Sequence, residues 1–283
     1  MEFEYFSRNG ELRPIGEATA PLSSIEYQYG FGVYEGMRVL HGVPYFLDEH
    51  VARLIESARI IGLVHDFAPA AIARSVQELI ETNPAETYNL KILLIGGPEP
   101  TLFILPLNPH FPERSLYRDG VHTITVRYER LFPHAKTLNM LGSYLAFSKA
   151  KSDGAYDALL IDESGRITEG TRTNFFCISA QGGSASGRNG PVLISPPEEK
   201  ILLGVTRKVV LKVAKETGYE VVEQDIHLNQ LPQYDGAFLT GTSAGIMPIA
   251  SVDEHRFGVP TQELKDLMSA FGKFLNDCGG KLN

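Results

Sequence analysis

The chain has 283 residues, 43% hydrophobic and 21% charged, with a formal net charge of -8 at pH 7. The acidic balance and the absence of a long Lys/Arg run argue against nucleic acid or an anionic membrane surface as a partner. The length exceeds a comfortable single core and predicts two domains.

The N-terminal stretch MEFEYFSRNGELRP is acidic and has no apolar signal region, and no run reaches about 18 uninterrupted apolar residues. The expectation is a soluble protein. YEGMRVLHGVPYFL predicts two strands joined at His41-Gly42. LDEHVARLIESARIIGL then places Val51, Leu54, Ile55, Ala58 and Ile61 at the spacing of an amphipathic helix. Residues 70–82 predict a second helix, and LKILLIGGPEPTLFILPL two strongly apolar strands around a Gly-Gly-Pro turn. Pro106, Pro109 and Pro112 mark a linker at 106–120. The predicted division is a small α/β domain, 1–114, and a larger domain, 121–283.

The larger domain opens with a strand at 121–128 and a helix beginning near Leu138. DALLIDESGRITEG is a hairpin turning at Glu163-Ser164-Gly165. AQGGSASGRNG, 180–190, is Gly/Ser-rich and predicts a mobile surface loop rather than a phosphate cradle, since no lysine or helix follows closely. GVTRKVVLKVAKETGY predicts a helix with a Gly stop, and GAFLTGTSAGIMPIASV a pair of strands around GTSAG. Strands and helices mix without a regular βαβ rhythm, so the class is α+β. Cys177, in the apolar run NFFCI, and Cys278 lie far apart with no metal-ligand spacing, which suits reduced thiols in a cytoplasm.

Within LFPHAKTLNMLGSYLAFSKAK, Lys136 is the only charged residue between Arg130 and Lys149. A poorly solvated lysine loses its proton easily, and a neutral amine is a nucleophile. The plainer reading is a lysine whose stem packs while its ammonium stays in water. Glu169 follows a strand in RITEGTRTN, where a solvated turn is the ordinary reading. Arg53 shares a stripe of the first helix with His50 and Ser57. GVTR (204–207) and GTSAG (241–245) each place backbone N–H groups and hydroxyls where the chain reverses. Val205 and Thr206 also open a helix, whose free N–H groups favour an anion such as phosphate. YGFGVYEG (29–36) is not a dinucleotide fingerprint, because Glu35 stands where the third glycine belongs and no helix opens there. Its tyrosines are either a packed aromatic strand or a substrate wall.

Taken together, YGFGVYEGMRV, DEHVARL, KTLNML, GRITEGTRTNFF, LLGVTR and TGTSAGIMP occur in an order that closely resembles the class IV aminotransferases, the fold-type IV pyridoxal phosphate enzymes. The resemblance runs from about Tyr27 to Pro248 and beyond. It implies a two-domain fold whose larger domain carries a mixed, barrel-like sheet. It also implies that Lys136 forms the Schiff base with pyridoxal 5′-phosphate and shuttles the substrate proton, and that Glu169 pairs with the pyridine nitrogen. Arg53, Val205, Thr206 and Thr242 would bind the phosphate. Tyr27, Tyr29, Tyr34 and Gly36 would line the substrate pocket, and Ser243 and Ala244 would offer N–H groups to the substrate carboxylate. Arg172 stands where relatives carry a small residue and is either a further anion contact or a surface arginine. Members of the family are dimers, so a homodimer is expected.

The sequence departs from several branches. Met140 stands where the aminodeoxychorismate lyases carry arginine and branched-chain enzymes often carry tyrosine. LIGGPEPTLF lacks the arginine and histidine by which D-amino acid transaminases hold the carboxylate. Gly245 replaces a frequent glutamate. The resulting expectation is a transaminase exchanging an amino group between an amino acid, of branched-chain type given VYEGMR, and a 2-oxo acid. The alternatives are a D-amino acid or R-amine transaminase and the lyase.

Overall fold

The computed structural model describes residues 2–109, 111–180 and 190–282, so most of the Gly/Ser-rich stretch at 180–190 lies outside the described residues. The chain divides into two units. The first comprises Met1–His110, His134–Met140 and Cys278–Asn283; the second comprises Phe111–Pro133 and Leu141–Asp277.

The first unit runs β1 (Tyr5–Arg8), β2 (Glu11–Pro14), α1 (Ile25–Tyr29), β3 (Gly32–Leu40), β4 (Val43–Pro44), α2 (Leu47–Ile60), α3 (Pro69–Thr82), β5 (Thr87–Ile95) and β6 (Thr101–Leu107). The strands form one antiparallel sheet in the order β2-β1-β6-β5-β3-β4. β3 and β5 alternate in burial over Val33–Leu40 and Thr87–Leu94, as expected of a sheet covered on one face. Val33, Met37 and Val39 of β3 and Leu90, Ile92 and Leu94 of β5 pack with Val51, Leu54 and Ala58 of α2 and Ile72, Val76 and Leu79 of α3. Glu35 shares the parity of those apolar β3 residues and is fully buried. Tyr34 and Gly36 have the opposite parity.

Residues 136–138 pair with the start of β3. The Tyr34 N–H donates to the Lys136 carbonyl at 2.9 Å, the Leu138 N–H donates to the Gly32 carbonyl at 2.9 Å, and Val33 bridges Thr137. A Cβ at Gly32 would come within 2.7 Å of the Leu94 carbonyl and 2.9 Å of Leu138, so only glycine allows this approach. The pairing explains why the helix predicted from about Leu138 begins only at Leu141. It also gives the first unit a segment, 134–140, beyond the sequence boundary drawn at 114. Within the stretch read as a linker, Pro106 lies in β6 opposite Leu90.

The second unit runs α4 (Arg114–Asp119), β7 (Val121–Arg127), α5 (Leu141–Ser152), β8 (Asp157–Ile161), β9 (Ile167–Gly170), β10 (Asn174–Ser179), β11 (Val192–Ser195), α6 (Val205–Glu216), β12 (Glu220–Glu223), β13 (Gly236–Gly241), β14 (Gly245–Val252), β15 (His255–Arg256) and α7 (Gln262–Asp277). Its sheet has the order β12-β11-β10-β13-β14-β7-β8-β9, with β15 on β14, and β9 also pairs β10. That last pairing closes six strands, β10-β13-β14-β7-β8-β9, into a ring. The sheet is mixed: β14–β7, β7–β8 and β11–β12 are parallel and the other pairs antiparallel. The fold is therefore α+β with a barrel-like second sheet. Ala146 and Ala150 seat α5 on Ile124, Ala158 and Leu160. Among the described residues no helix is long and apolar enough to cross a membrane.

Candidate active site

In the first unit the pairing with β3 fixes the backbone of Lys136. Its own N–H donates to Oγ of Ser57 on α2 at 3.0 Å, and Ser57 is fully buried. The side chain is half-buried, with Nζ 4.6 Å from the centre of the Tyr34 ring. Nζ of Lys91, on β5 opposite Gly36, lies 5.2 Å from the same ring centre. Tyr34 thus faces two lysine ammoniums, an arrangement favoured by the negative face of the ring.

One and two turns before Ser57, α2 presents Arg53 and His50 to Glu35. The Arg53 guanidinium donates from Nε to Oε1 at 2.6 Å and from Nη2 to Oε2 at 2.8 Å, a bidentate pair. Oε2 also accepts the Gly36 N–H at 3.3 Å and lies 2.8 Å from Nδ1 of His50. Burial alone would raise the Glu35 pKa, but the Arg53 charge, its hydrogen bonds and His50 outweigh burial and hold the carboxyl well below the usual carboxylate range. Burial pushes His50 below its ordinary value. Glu35 partly opposes that shift, and the Arg53 and Lys136 charges reinforce it. A neutral His50 with its proton on Nδ1 satisfies Glu35 as a donor.

In the second unit Glu169 sits on β9 and is 2% exposed, so the solvated-turn reading of this residue is corrected. The strand runs through the residue and does not end before it. Nε of Arg130 lies 2.7 Å from Oε1, an ion pair by distance whose N–H is not aimed along the hydrogen-bond direction. Nη2 of Arg130 donates to the Thr171 carbonyl at 3.1 Å. Oε2 accepts the Leu202 N–H at 3.3 Å and a long 3.5 Å contact from Nδ2 of Asn174, which also donates to the Leu202 carbonyl at 2.7 Å. Asn174 therefore couples the carboxylate to the turn that enters α6. A Cβ at Gly204 would overlap Oδ1 of Asn174, so a side chain at this N-cap would displace the Asn174 amide. No side chain caps α6, and Thr206 in its first turn is half-buried. Thr242, Ser243 and Ala244 form the turn between β13 and β14, closed by the Gly241–Gly245 pair. The Tyr117 hydroxyl donates to the Ala244 carbonyl at 2.9 Å and pins that turn. A pocket of about 390 Å³ is lined by Glu129, Arg130, Pro133, Thr168, Glu169, Glu199 and Lys200, a size typical of small-molecule sites.

The remaining expected residues are placed as follows. Tyr27 and Tyr29 lie in the one-turn helix α1, not in a strand; Tyr27 packs near Phe6 and Phe103, whereas Tyr29 is 76% exposed. A Cβ on Gly36 would meet nothing within 4 Å. Arg172 is exposed with its guanidinium 3.9 Å from the centre of the Phe147 ring. Sequence reasoning missed Glu35, His50, Arg130 and Asn174. Glu35 carried a usable signal, a carboxylate at the apolar parity of a strand. Arg130, in a loop, and Asn174 carried none, because their roles come from a partner distant in the chain.

Residues 32–252 match the family model for amino-transferase class IV. A protein of Methanocaldococcus jannaschii, provisionally named a branched-chain-amino-acid aminotransferase, is 33% identical over 283 residues, covering 91% of this chain and 93% of its own length. The D-alanine aminotransferase of Bacillus licheniformis is 30% identical over 264 residues, covering 88% and 89%. Among solved structures, the branched-chain amino acid aminotransferase of Thermobaculum terrenum in its PLP form superposes with a TM-score of 0.83 at 26% identity, covering 96% of this chain and 94% of that one. The chain belongs to the class IV aminotransferase family.

Proposed function

We propose that this protein is a pyridoxal 5′-phosphate-dependent aminotransferase that exchanges an amino group between an amino acid of branched-chain type and a 2-oxo acid. The observation that carries the substrate class is the open space at Gly36, on the sheet face it shares with Tyr34. An apolar side chain fits beside a glycine and an aromatic wall, where any larger residue would fill the space.

The residues present fit the cofactor. The uncapped first turn of α6 offers N–H groups and the positive end of its dipole to a phosphate. Glu169 is a buried carboxylate of the kind that keeps a proton on a pyridine nitrogen, and Lys136 is a half-buried amine pinned at its backbone. When bound, the cofactor supplies an electron sink for the substrate α-carbon. Lys136 takes the proton from that carbon and returns it. Glu169 holds the ring-nitrogen proton. Arg53, Val205, Thr206 and Thr242 bind the phosphate. Tyr27, Tyr29, Tyr34 and Gly36 line the substrate side, the N–H groups of Ser243 and Ala244 bind the substrate carboxylate, and Arg172 adds a further anion contact at the rim.

The active form is a homodimer. Leu141, Tyr144 and Leu145 lie along one stripe of α5 and are 68%, 64% and 57% exposed, an apolar surface that a second copy would cover. Two cysteines without a disulfide agree with a cytoplasmic location.

The test is a half-reaction panel. Purified enzyme loaded with cofactor is mixed separately with L-leucine, L-glutamate, D-alanine, D-glutamate and R-phenylethylamine, and the cofactor absorbance is followed. Rapid conversion by L-leucine is the expected result. Conversion by D-alanine alone would move the protein to the D-amino acid branch, in keeping with its likeness to the Bacillus licheniformis enzyme. Conversion by none of them, with cofactor bound, would favour the lyase.

A further inference from the structure

We infer that Glu35, backed by His50, is a positioning residue that fixes the Arg53 guanidinium for the cofactor phosphate. The inference rests on the phosphate role proposed above for Arg53. Glu35 is a carboxylate in the middle of an apolar stripe, between Val33 and Met37, where a leucine or valine would serve the core. Its oxygens are engaged from three directions: both Arg53 contacts, the Gly36 N–H and His50. The Arg53 side chain keeps 11% of its surface while that of Glu35 keeps none. The guanidinium is therefore held through Nε and Nη2 by a carboxylate that is itself fixed in the core.

A free arginine must give up considerable rotamer freedom to hold an anion in one geometry. A bidentate carboxylate removes that freedom before the anion arrives and fixes the orientation of the planar fork. The same carboxylate also offsets part of the Arg53 charge, so the two effects oppose each other in phosphate binding. The three-fold engagement of Glu35 favours positioning as the larger effect. A purely structural ion pair would affect stability without regard to the phosphate.

The experiment compares the affinity of the apo full-length protein for pyridoxal 5′-phosphate with its affinity for pyridoxal, which lacks the phosphate. Bound-cofactor absorbance reports both affinities, and the melting temperature is recorded alongside. Wild type should prefer the phosphorylated form strongly, and Arg53→Gln should lower that preference by roughly a hundredfold, the first turn of α6 and Thr242 keeping the rest. Glu35→Gln should lower the preference about tenfold while leaving pyridoxal affinity within about twofold. If Arg53→Gln keeps the preference, the phosphate role of Arg53 is wrong and the inference falls with it. If Arg53→Gln lowers the preference but Glu35→Gln keeps or increases it, the role of Arg53 stands and positioning by Glu35 is overturned. A parallel loss of both affinities in Glu35→Gln also overturns it. If Glu35→Gln fails to fold, His50→Gln retains the charge pair and removes one grip. It should lower the preference roughly threefold, and an unchanged preference rejects the inference.

Discussion

The Arg130–Glu169 pair allows stability and turnover to be separated. The Glu169 side chain is 3% exposed and that of Arg130 14%, so replacing Glu169 by glutamine leaves a mostly buried guanidinium without its counter-charge. Removing one partner of such a pair costs about 3 to 5 kcal/mol. The glutamine can still accept the Leu202 N–H, which places the expected loss near the lower end, about 3 kcal/mol. For a protein of this size that corresponds to a fall of roughly 6 to 12 °C in the melting temperature of the apo protein. Adding Arg130→Met removes the stranded charge and should recover all but about 1 kcal/mol, the remainder being the bond from Arg130 to the Thr171 carbonyl. Turnover behaves differently: in the role proposed for Glu169, loss of its carboxylate should lower kcat by roughly two orders of magnitude in both variants. Calorimetry and steady-state kinetics on wild type, both single variants and the double variant complete the cycle. A Glu169→Gln protein melting within about 2 °C of wild type would contradict the pairing energetics. A double variant with restored turnover would remove Glu169 from the cofactor chemistry.

Three further outcomes are expected. Lys136→Ala should abolish turnover and yield no cofactor covalently fixed by borohydride; fixation at the wild-type level would dismiss Lys136 as the attachment point. Gly36→Val should melt like wild type, because a Cβ there meets nothing within 4 Å, while KM for leucine rises at least roughly tenfold, the scale of a lost apolar pocket contact. An unchanged leucine KM would place the substrate side chain elsewhere. The third outcome concerns pH. His50 titrates below its ordinary value of 6.5 in the folded state, so the unfolded chain binds its proton more readily. The associated stability is fully present above pH 6.5 and is lost as pH falls below it. Glu35, also depressed, extends the loss as pH falls below its ordinary value of 4.5. Denaturant unfolding across this range should show stability declining with acid by up to about 1.4 kcal/mol per pH unit for each proton involved. In His50→Gln the part of the slope that begins at pH 6.5 should flatten; an unchanged slope would assign it to other groups.

Much of the first unit could be read from local pattern alone. The two-residue period of β3 and β5 and the stripe of α2 are properties of neighbouring residues, and the structure places those elements within about three residues of expectation. The hairpin of β8 and β9 and the helix α6 opening at Val205 were legible for the same reason. The order of motifs pointed to the family, and the matched span, 32–252, contains Lys136, Glu169, Arg53 and the turns at 204–207 and 241–245.

Properties that depend on pairing between distant residues were decided only by the tertiary structure. Local pattern started a helix near Leu138, but residues 136–138 gain more by completing the hydrogen bonds of β3 and the helix waits until Leu141. The burial of Glu169 depends on Arg130, Asn174 and Leu202, which lie 39 residues before it and 5 and 33 residues after it. The ring of six strands depends on β9 reaching β10, a closure that no local period encodes. Side-chain chemistry by itself determined which residues can act as amine, carboxylate or anion binder. Which of them lost their water, and which partners compensate the loss, followed from the fold, because desolvation is set by everything packed around a group and not by its neighbours in sequence.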